Sequence, residues 1–127
     1  MRIRVESLEQ AGQVATVSFT CLVGSARARW MGGVPIVSVD YEVELEVPGI
    51  LKWGEQIVET KQTRPAISQQ AAQALIVGTL SAMRSEGVAE VRVGDDIILV
   101  EVDRIGGKVP CNVVIRTADL QLFDINI

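Results

Sequence analysis

The segment Pro35–Pro48 constrains the fold more than any other part of the chain. Between its two prolines, apolar and polar residues alternate over twelve positions, and the apolar set is rich in β-branched side chains. A period of two with this composition is typical of a β-strand that buries one face, and proline is tolerated at strand ends. We therefore predict one strand over the whole segment, with these side chains directed into the core: Val37, Val39, Tyr41, Val43, Leu45 and Val47.

The other face of this predicted strand carries an acidic ladder of four carboxylates, Asp40, Glu42, Glu44 and Glu46. Side chains on one face of a strand recur every ~6.7 Å, so neighbouring carboxylates repel by about 0.6 kcal/mol in bulk water before screening by salt. The ladder therefore needs cations, which can come from the chain itself or from a binding partner.

Two internal sources of cations are available. Gly32-Gly33 is a favoured two-residue hairpin turn, because glycine adopts positive φ without strain. A hairpin with that turn would place Arg27 and Arg29 on the face of the ladder, near its upper end at Asp40. Arg2 and Arg4 are a second source if the first strand lies beside the ladder. A salt-bridged solvated face and a docking site for a basic protein both stay open.

A helix is predicted at one place, residues 68–85. Ser68 is a good N-cap, the segment is rich in helix-forming residues, and Gly87 follows as a natural C′ residue. Small side chains on one side of this helix would either allow close packing on a sheet or leave a cavity there: Ala71, Gly78 and Ala82.

Alternating segments on both sides of the helix predict about seven or eight strands. Arg2–Ser7 and Val14–Val23 are expected to form a hairpin through the three-residue loop Gln10–Gly12, with Gly12 in the left-handed conformation. The remaining predicted strands are Ala26–Met31, Gln56–Lys61, Val88–Val93, Ile97–Asp103, Cys111–Thr117 and Leu120–Ile127. This order predicts an α+β fold, with a mostly antiparallel sheet, open, rolled or split in two, packed against one helix.

Length and charge narrow the class of protein. The 127 residues are expected to form a single globular domain, and a net charge of −4 argues against nucleic acid or anionic lipid as a ligand. The first residues resemble a strand rather than a signal peptide, and no apolar run approaches the ~20 residues that span a bilayer. We expect a cytoplasmic protein with no membrane partner.

The inventory of reactive side chains is small. The chain contains no histidine, which removes the usual general base near neutral pH and the Ser-His-Asp and Cys-His arrangements. Cys21 and Cys111 lie in apolar segments and form no metal-binding cluster, so we expect buried thiols, with a disulfide left open. The sequence predicts no catalytic residues, metal site or cofactor, although paired carboxylates or a perturbed lysine could still serve an enzyme.

Three functions are compatible with these features. A non-catalytic protein could dock its acidic ladder on a basic protein, for example a nuclease-type toxin, as a bacterial immunity or inhibitor protein does, with Trp30 and Trp53 as candidate anchors at the core edge or the interface. A small-molecule-binding protein or histidine-independent enzyme would use a cavity between helix and sheet. The high apolar fraction, 48%, also suits an oligomeric structural subunit.

Overall fold

The computed structural model describes residues 1–125 and shows twelve strands and no helix among them. The predicted α+β fold is therefore wrong, because this part of the chain is all-β. Accordingly, no helix that could cross a membrane occurs in residues 1–125. The strands are β1 Arg2–Ala11, β2 Val14–Cys21, β3 Gly24–Met31, β4 Asp40–Glu46, β5 Ile50–Leu51, β6 Ile57–Glu59, β7 Ala66–Gln70, β8 Gln73–Ser85, β9 Val88–Val93, β10 Asp96–Val102, β11 Cys111–Thr117 and β12 Gln121–Asp124.

Five of these strands close into a barrel. Antiparallel pairs join β12 to β4, β4 to β1, β1 to β2 and β2 to β3, and a parallel pair between β3 and β12 closes the ring. Full closure removes the unpaired edges that an open sheet would expose. The largest fully buried side chains from this ring fill its interior: Ile3, Val5, Val17, Phe19, Val43 and Leu122.

The strands β5 to β11 are inserted between the fourth and fifth barrel strands. The sheet continues from β3 through a single parallel bridge, Gly24 to Ile67, into β7, and then through β8, β9 and β10 to β5. On the other edge of β8 lies β11, which also pairs with β6. Buried residues of the barrel and of the inserted strands belong to one hydrophobic cluster.

The segment predicted as a helix forms the β7–β8 hairpin, with Ala71 and Ala72 as its turn. Its interior contains Ile76, Val77 and Thr79, whose β-branched side chains are stiff in a helix, together with Gly78. Every second residue from Ala74 to Leu80 is buried, in the pattern of a strand, and Val77 between them is buried as well: Ala74, Ile76, Gly78 and Leu80 form the alternating set. Alanine and glutamine at the ends of the segment favour a helix. The burial of the alternating side chains against neighbouring strands outweighs this helix propensity.

The first hairpin differs from its prediction in loop length. β1 and β2 are joined by two residues, Gly12-Gln13, rather than three, and Gly12 has φ of 62°, in the left-handed region as predicted. A bulge between Val5 and Ser7 shifts the register, so that Val5 lies opposite Phe19 and the apolar faces match.

The strand predicted over Pro35–Pro48 is shorter in the structure. β4 covers Asp40–Glu46, and residues 32–39 form a loop. Because β4 pairs with β1 and β12 rather than β3, Gly32-Gly33 is not a hairpin turn, and the predicted register of Arg27 and Arg29 is wrong.

Other predicted strands are confirmed in position. The hairpin of Val88–Val93 with the next strand is present, as is Cys111–Thr117, whereas the strand predicted at Gln56–Lys61 is limited to β6. The last predicted strand is β12; Asn126 and Ile127 lie outside the described residues.

Candidate functional site

The upper end of the acidic ladder is paired within the barrel. The β1–β4 register sets Asp40 opposite Arg4, and Arg4 Nε donates a hydrogen bond of 2.7 Å to Asp40 Oδ1. Arg2 Nη2 donates to the other carboxylate oxygen at 3.4 Å. The hydrogen bond from Arg4, with a smaller contribution from Arg2, lowers the pKa of Asp40 below its usual value. Asp40 is therefore held as a carboxylate by its own chain.

Glu42 is also close to internal positive charge, although less tightly. Its carboxylate lies 3.8 Å from Arg2 Nη1 and 3.8 Å from the amino group of Met1. The hairpin predicted at Gly32-Gly33 would have placed Arg29 beside the ladder. Arg29 instead pairs with Asp119 at 2.8 Å. The internal cations of the ladder are therefore Arg2 and Arg4 of β1 and the amino group of Met1.

The lower end of the ladder stays open to solvent. Glu44 and Glu46 are exposed on the outer face of β4, and within residues 1–125 neither forms an ion pair. A surface depression of about 220 Å³ beside Glu44 is lined also by Ile97 and Ile125, both exposed. Leu99 continues the exposed face of β10. We call this region the β4–β10 surface: Glu44, Glu46, Ile97, Leu99 and Ile125.

The two tryptophans occupy different environments. Trp30 is 5% exposed inside the barrel, and its ring meets the ring of Tyr41 edge to face at a centroid distance of 4.9 Å. Trp53 is half-buried and lies on the backbone of Gly106, where a Cβ atom would overlap the indole. Its amide donates a hydrogen bond to Asp103 Oδ1, which is the main reason that the pKa of Asp103 is lowered. The structure therefore places Trp30 in the core against the buried side of β4, and Trp53 against the backbone of Gly106.

A second concave site lies where the barrel meets the inserted strands. This seam pocket, of about 270 Å³, is lined by outer side chains of β2 and β3, by the β7–β8 hairpin and by the segment that leads into β12. Its polar lining residues are Thr16, Arg27, Arg29, Gln69, Thr117 and Asp119. Sequence reasoning identified only the two arginines, because Asp119 is 90 positions from Arg29 and no local pattern joins them.

Other candidate chemistry is sparse in the described residues. Cys21 and Cys111 are both free thiols, and burial raises the pKa of Cys111, with a smaller contribution from Glu59. A raised pKa makes a thiol less nucleophilic at neutral pH. Within residues 1–125 no three or more cysteine and carboxylate side chains are grouped so that they could hold a metal ion.

Comparison of the chain with protein-family models, with curated proteins and with solved structures gave no match.

Proposed function

We propose that this chain is a non-catalytic protein-binding domain whose β4–β10 surface docks on a basic protein partner. The observation that carries the proposal is the division of the acidic ladder. Arg2 and Arg4 balance Asp40 and Glu42, whereas Glu44 and Glu46 remain exposed without an ion pair in residues 1–125.

Electrostatics supports a basic partner. The carboxylates of Glu44 and Glu46 are spaced as neighbours on one strand face, so their mutual repulsion is relieved when a cationic side chain binds between them. The chain as a whole is acidic, with a net charge of −4, which adds long-range attraction to a basic surface. Complementary charge of this kind mainly raises the association rate and selects the partner.

The apolar neighbours of the two carboxylates supply the rest of an interface. Ile97, Leu99 and Ile125 are 41%, 47% and 49% exposed, and Ile97 and Ile125 share the depression beside Glu44. Protein interfaces combine an apolar centre, which loses water on binding, with a charged rim. Within the β4–β10 surface, Glu44 lies beside Ile97 and Ile125 in one depression, so a carboxylate and two exposed aliphatic side chains are adjacent there.

The test is a charge reversal at the docking site. The wild-type chain and the Glu44→Lys/Glu46→Lys variant would serve as baits in extracts of the source organism, and the dissociation constant of each captured protein would be measured by calorimetry. We expect a basic partner whose affinity falls by about tenfold or more in the variant and weakens steeply with added salt.

A matched control distinguishes the effect of the docking site on binding from the effect of net charge. Glu55→Lys/Glu86→Lys reverses two exposed turn carboxylates and changes the total charge by the same amount. We expect this control to weaken binding by less than about threefold. Equal losses in the two double variants, or no loss in either, would contradict the docking site.

One observation favours a second candidate function, that of an oligomeric structural subunit. The loop 32–39 exposes four large aliphatic side chains within six residues, Val34, Ile36, Val37 and Val39, which is unusual for the surface of a monomer. Light scattering after size exclusion tests this candidate, because a monomer at all concentrations would remove it. Substitution of Ile36 by aspartate should dissociate an oligomer that uses the loop.

A further inference from the structure

The seam pocket combines positive charge with fixed hydrogen-bonding groups. Of its three charged lining residues, two are arginines and one is an aspartate, so the lining carries one net positive charge. Because Asp119 pairs with Arg29, the remaining charge of the lining is that of Arg27. Polar groups that converge on a surface pocket can fix the orientation of a small ligand.

One arginine of the pocket is held in place by the fold. Arg29 donates to Asp119 through Nε at 3.1 Å and Nη2 at 2.8 Å, and its amide donates to the carbonyl oxygen of Leu120 at 2.8 Å. Asp119 also accepts a hydrogen bond of 3.0 Å from Gln121 Nε2. This fork geometry occupies both oxygens of Asp119, so Arg29 and Asp119 together form a rigid wall.

The other arginine is available to a ligand. Within residues 1–125 the guanidinium of Arg27 forms one ion pair, with Glu9 at 3.6 Å, and Glu9 is 81% exposed. An exposed pair at this distance contributes little and is readily exchanged for a better acceptor. On its other side the amide of Arg27 is anchored to Gln69 Oε1 at 3.0 Å, so the start of the side chain is fixed at the pocket.

We propose that the seam pocket binds a small monocarboxylate that carries a second polar group. Its carboxylate would accept hydrogen bonds from the planar guanidinium of Arg27, and the second group would meet the half-buried hydroxyl of Thr16, which lies opposite Arg29 in the β2–β3 pair. One surplus positive charge matches a monoanion better than the dianion of phosphate. This site is separate from the β4–β10 surface and does not depend on the proposed function.

The probe is 3-hydroxybutyrate, compared with its neutral amide and with inorganic phosphate at equal ionic strength. Binding to the isotopically labelled full chain would be followed by amide chemical shifts in nuclear magnetic resonance. We expect saturable shifts at Thr16, Arg27 and Asp119 with a dissociation constant of about 1 mM. The neutral amide should bind at least about tenfold more weakly.

Variants assign the binding to the pocket. Arg27→Gln removes the charge at a half-exposed side chain and should weaken 3-hydroxybutyrate at least about tenfold, and Thr16→Val should weaken it by a few-fold. Arg64→Gln, at an exposed arginine outside the pocket, is the matched control and should bind like the wild type. The proposal is overturned if the neutral amide binds equally well, if Arg27→Gln has no effect, if phosphate binds more tightly, or if no saturable shift occurs at the pocket.

Discussion

Gly24 lies at the point where the barrel meets the inserted strands. Its φ is 142°, a region that side chains disfavour, and a Cβ atom there would overlap the carbonyl oxygen of Ile67. Because Gly24 and Ile67 form the bridge between β3 and β7, the two backbones cannot separate without loss of that junction. We expect Gly24→Ala to lower the free energy of unfolding by at least about 2 kcal/mol in urea denaturation.

Gly33 provides the matched control for this substitution. It lies in the exposed loop 32–39, and a Cβ atom there would meet nothing within 4 Å. Gly33→Ala should change the free energy of unfolding by no more than about 0.5 kcal/mol. Similar losses in the two variants would mean that the backbones of β3 and β7 are not in close contact at Gly24.

The pairing of Asp40 with Arg4 leads to a prediction about how stability depends on pH. Because the hydrogen bond from Arg4 lowers the pKa of Asp40 in the folded state, the contribution of Asp40 to stability is fully present above the ordinary aspartate value of about 4. That contribution is lost as the pH falls through the lowered value. Asp40→Asn should therefore be less stable than the wild type near neutral pH, and the difference should shrink on acidification to about pH 2.5.

Urea denaturation at both pH values measures this difference. Asp95→Asn, at an exposed carboxylate in the β9–β10 turn, is the control and should show little difference at either pH. If the gap between Asp40→Asn and the wild type were the same at both pH values, the pairing of Asp40 with Arg4 would not contribute to folding.

At the scale of elements, local sequence pattern predicted most strands but not the choice between helix and strand at residues 68–85. Cys111–Thr117 alternates over a short apolar run, and its assignment as a strand is confirmed. In residues 68–85 alanine and glutamine favour a helix, whereas the alternation Ala74, Ile76, Gly78 favours a strand. Both patterns are present, and only burial against the neighbouring strands decides between them.

Substitution of Ala71 by glycine is expected to change the free energy of unfolding in opposite directions in the hairpin and in the predicted helix. It has φ of 52° at the first central position of the β7–β8 turn, where glycine is preferred and alanine is strained. Ala71→Gly should therefore raise the free energy of unfolding by about 0.5–1 kcal/mol. In a helix the same substitution would lower it by about 1 kcal/mol.

Ala72 is the matched control within the same turn. Among residues 1–125, the non-glycine residues with positive φ are Ser38 and Ala71, so Ala72 has no strain for glycine to relieve. Ala72→Gly should leave stability unchanged or slightly lower, as measured by thermal and urea unfolding. A loss of stability in Ala71→Gly would argue for the helix and against the hairpin.

At the scale of the whole molecule, the candidate sites depend on pairings that no local pattern contains. The ladder itself was visible as Asp40 to Glu46, but its division into a paired and an open end requires the contact of β4 with β1. The seam pocket requires β12 to enter the ring beside β3, which brings Asp119 to Arg29. Alternation predicts which residues face inward, whereas the partner of each strand depends on the tertiary fold.

The order of strands along the chain leads to a prediction about cooperativity. The barrel closes only when β12 has been placed, after all the inserted strands, and its side chain Leu122 is fully buried. Because barrel and inserted strands share one hydrophobic cluster, and the amide of Ile67 donates a hydrogen bond to the carbonyl oxygen of Val23 at their junction, we expect them to unfold together. Leu122→Ala should lower the free energy of unfolding of the whole chain by about 2–5 kcal/mol.

The two tryptophans report separately on the two parts. Trp30 lies in the barrel and Trp53 among the inserted strands, so Trp53→Phe and Trp30→Phe each leave one fluorescent reporter. Within each variant, fluorescence and far-ultraviolet circular dichroism should follow the same urea transition, and adding Leu122→Ala should move both signals together. If Leu122→Ala moved the Trp30 transition to lower urea and left the Trp53 transition in place, the barrel and the inserted strands would be independent folding units. The single core would then not couple them, and the seam pocket between them would open before the inserted strands unfold.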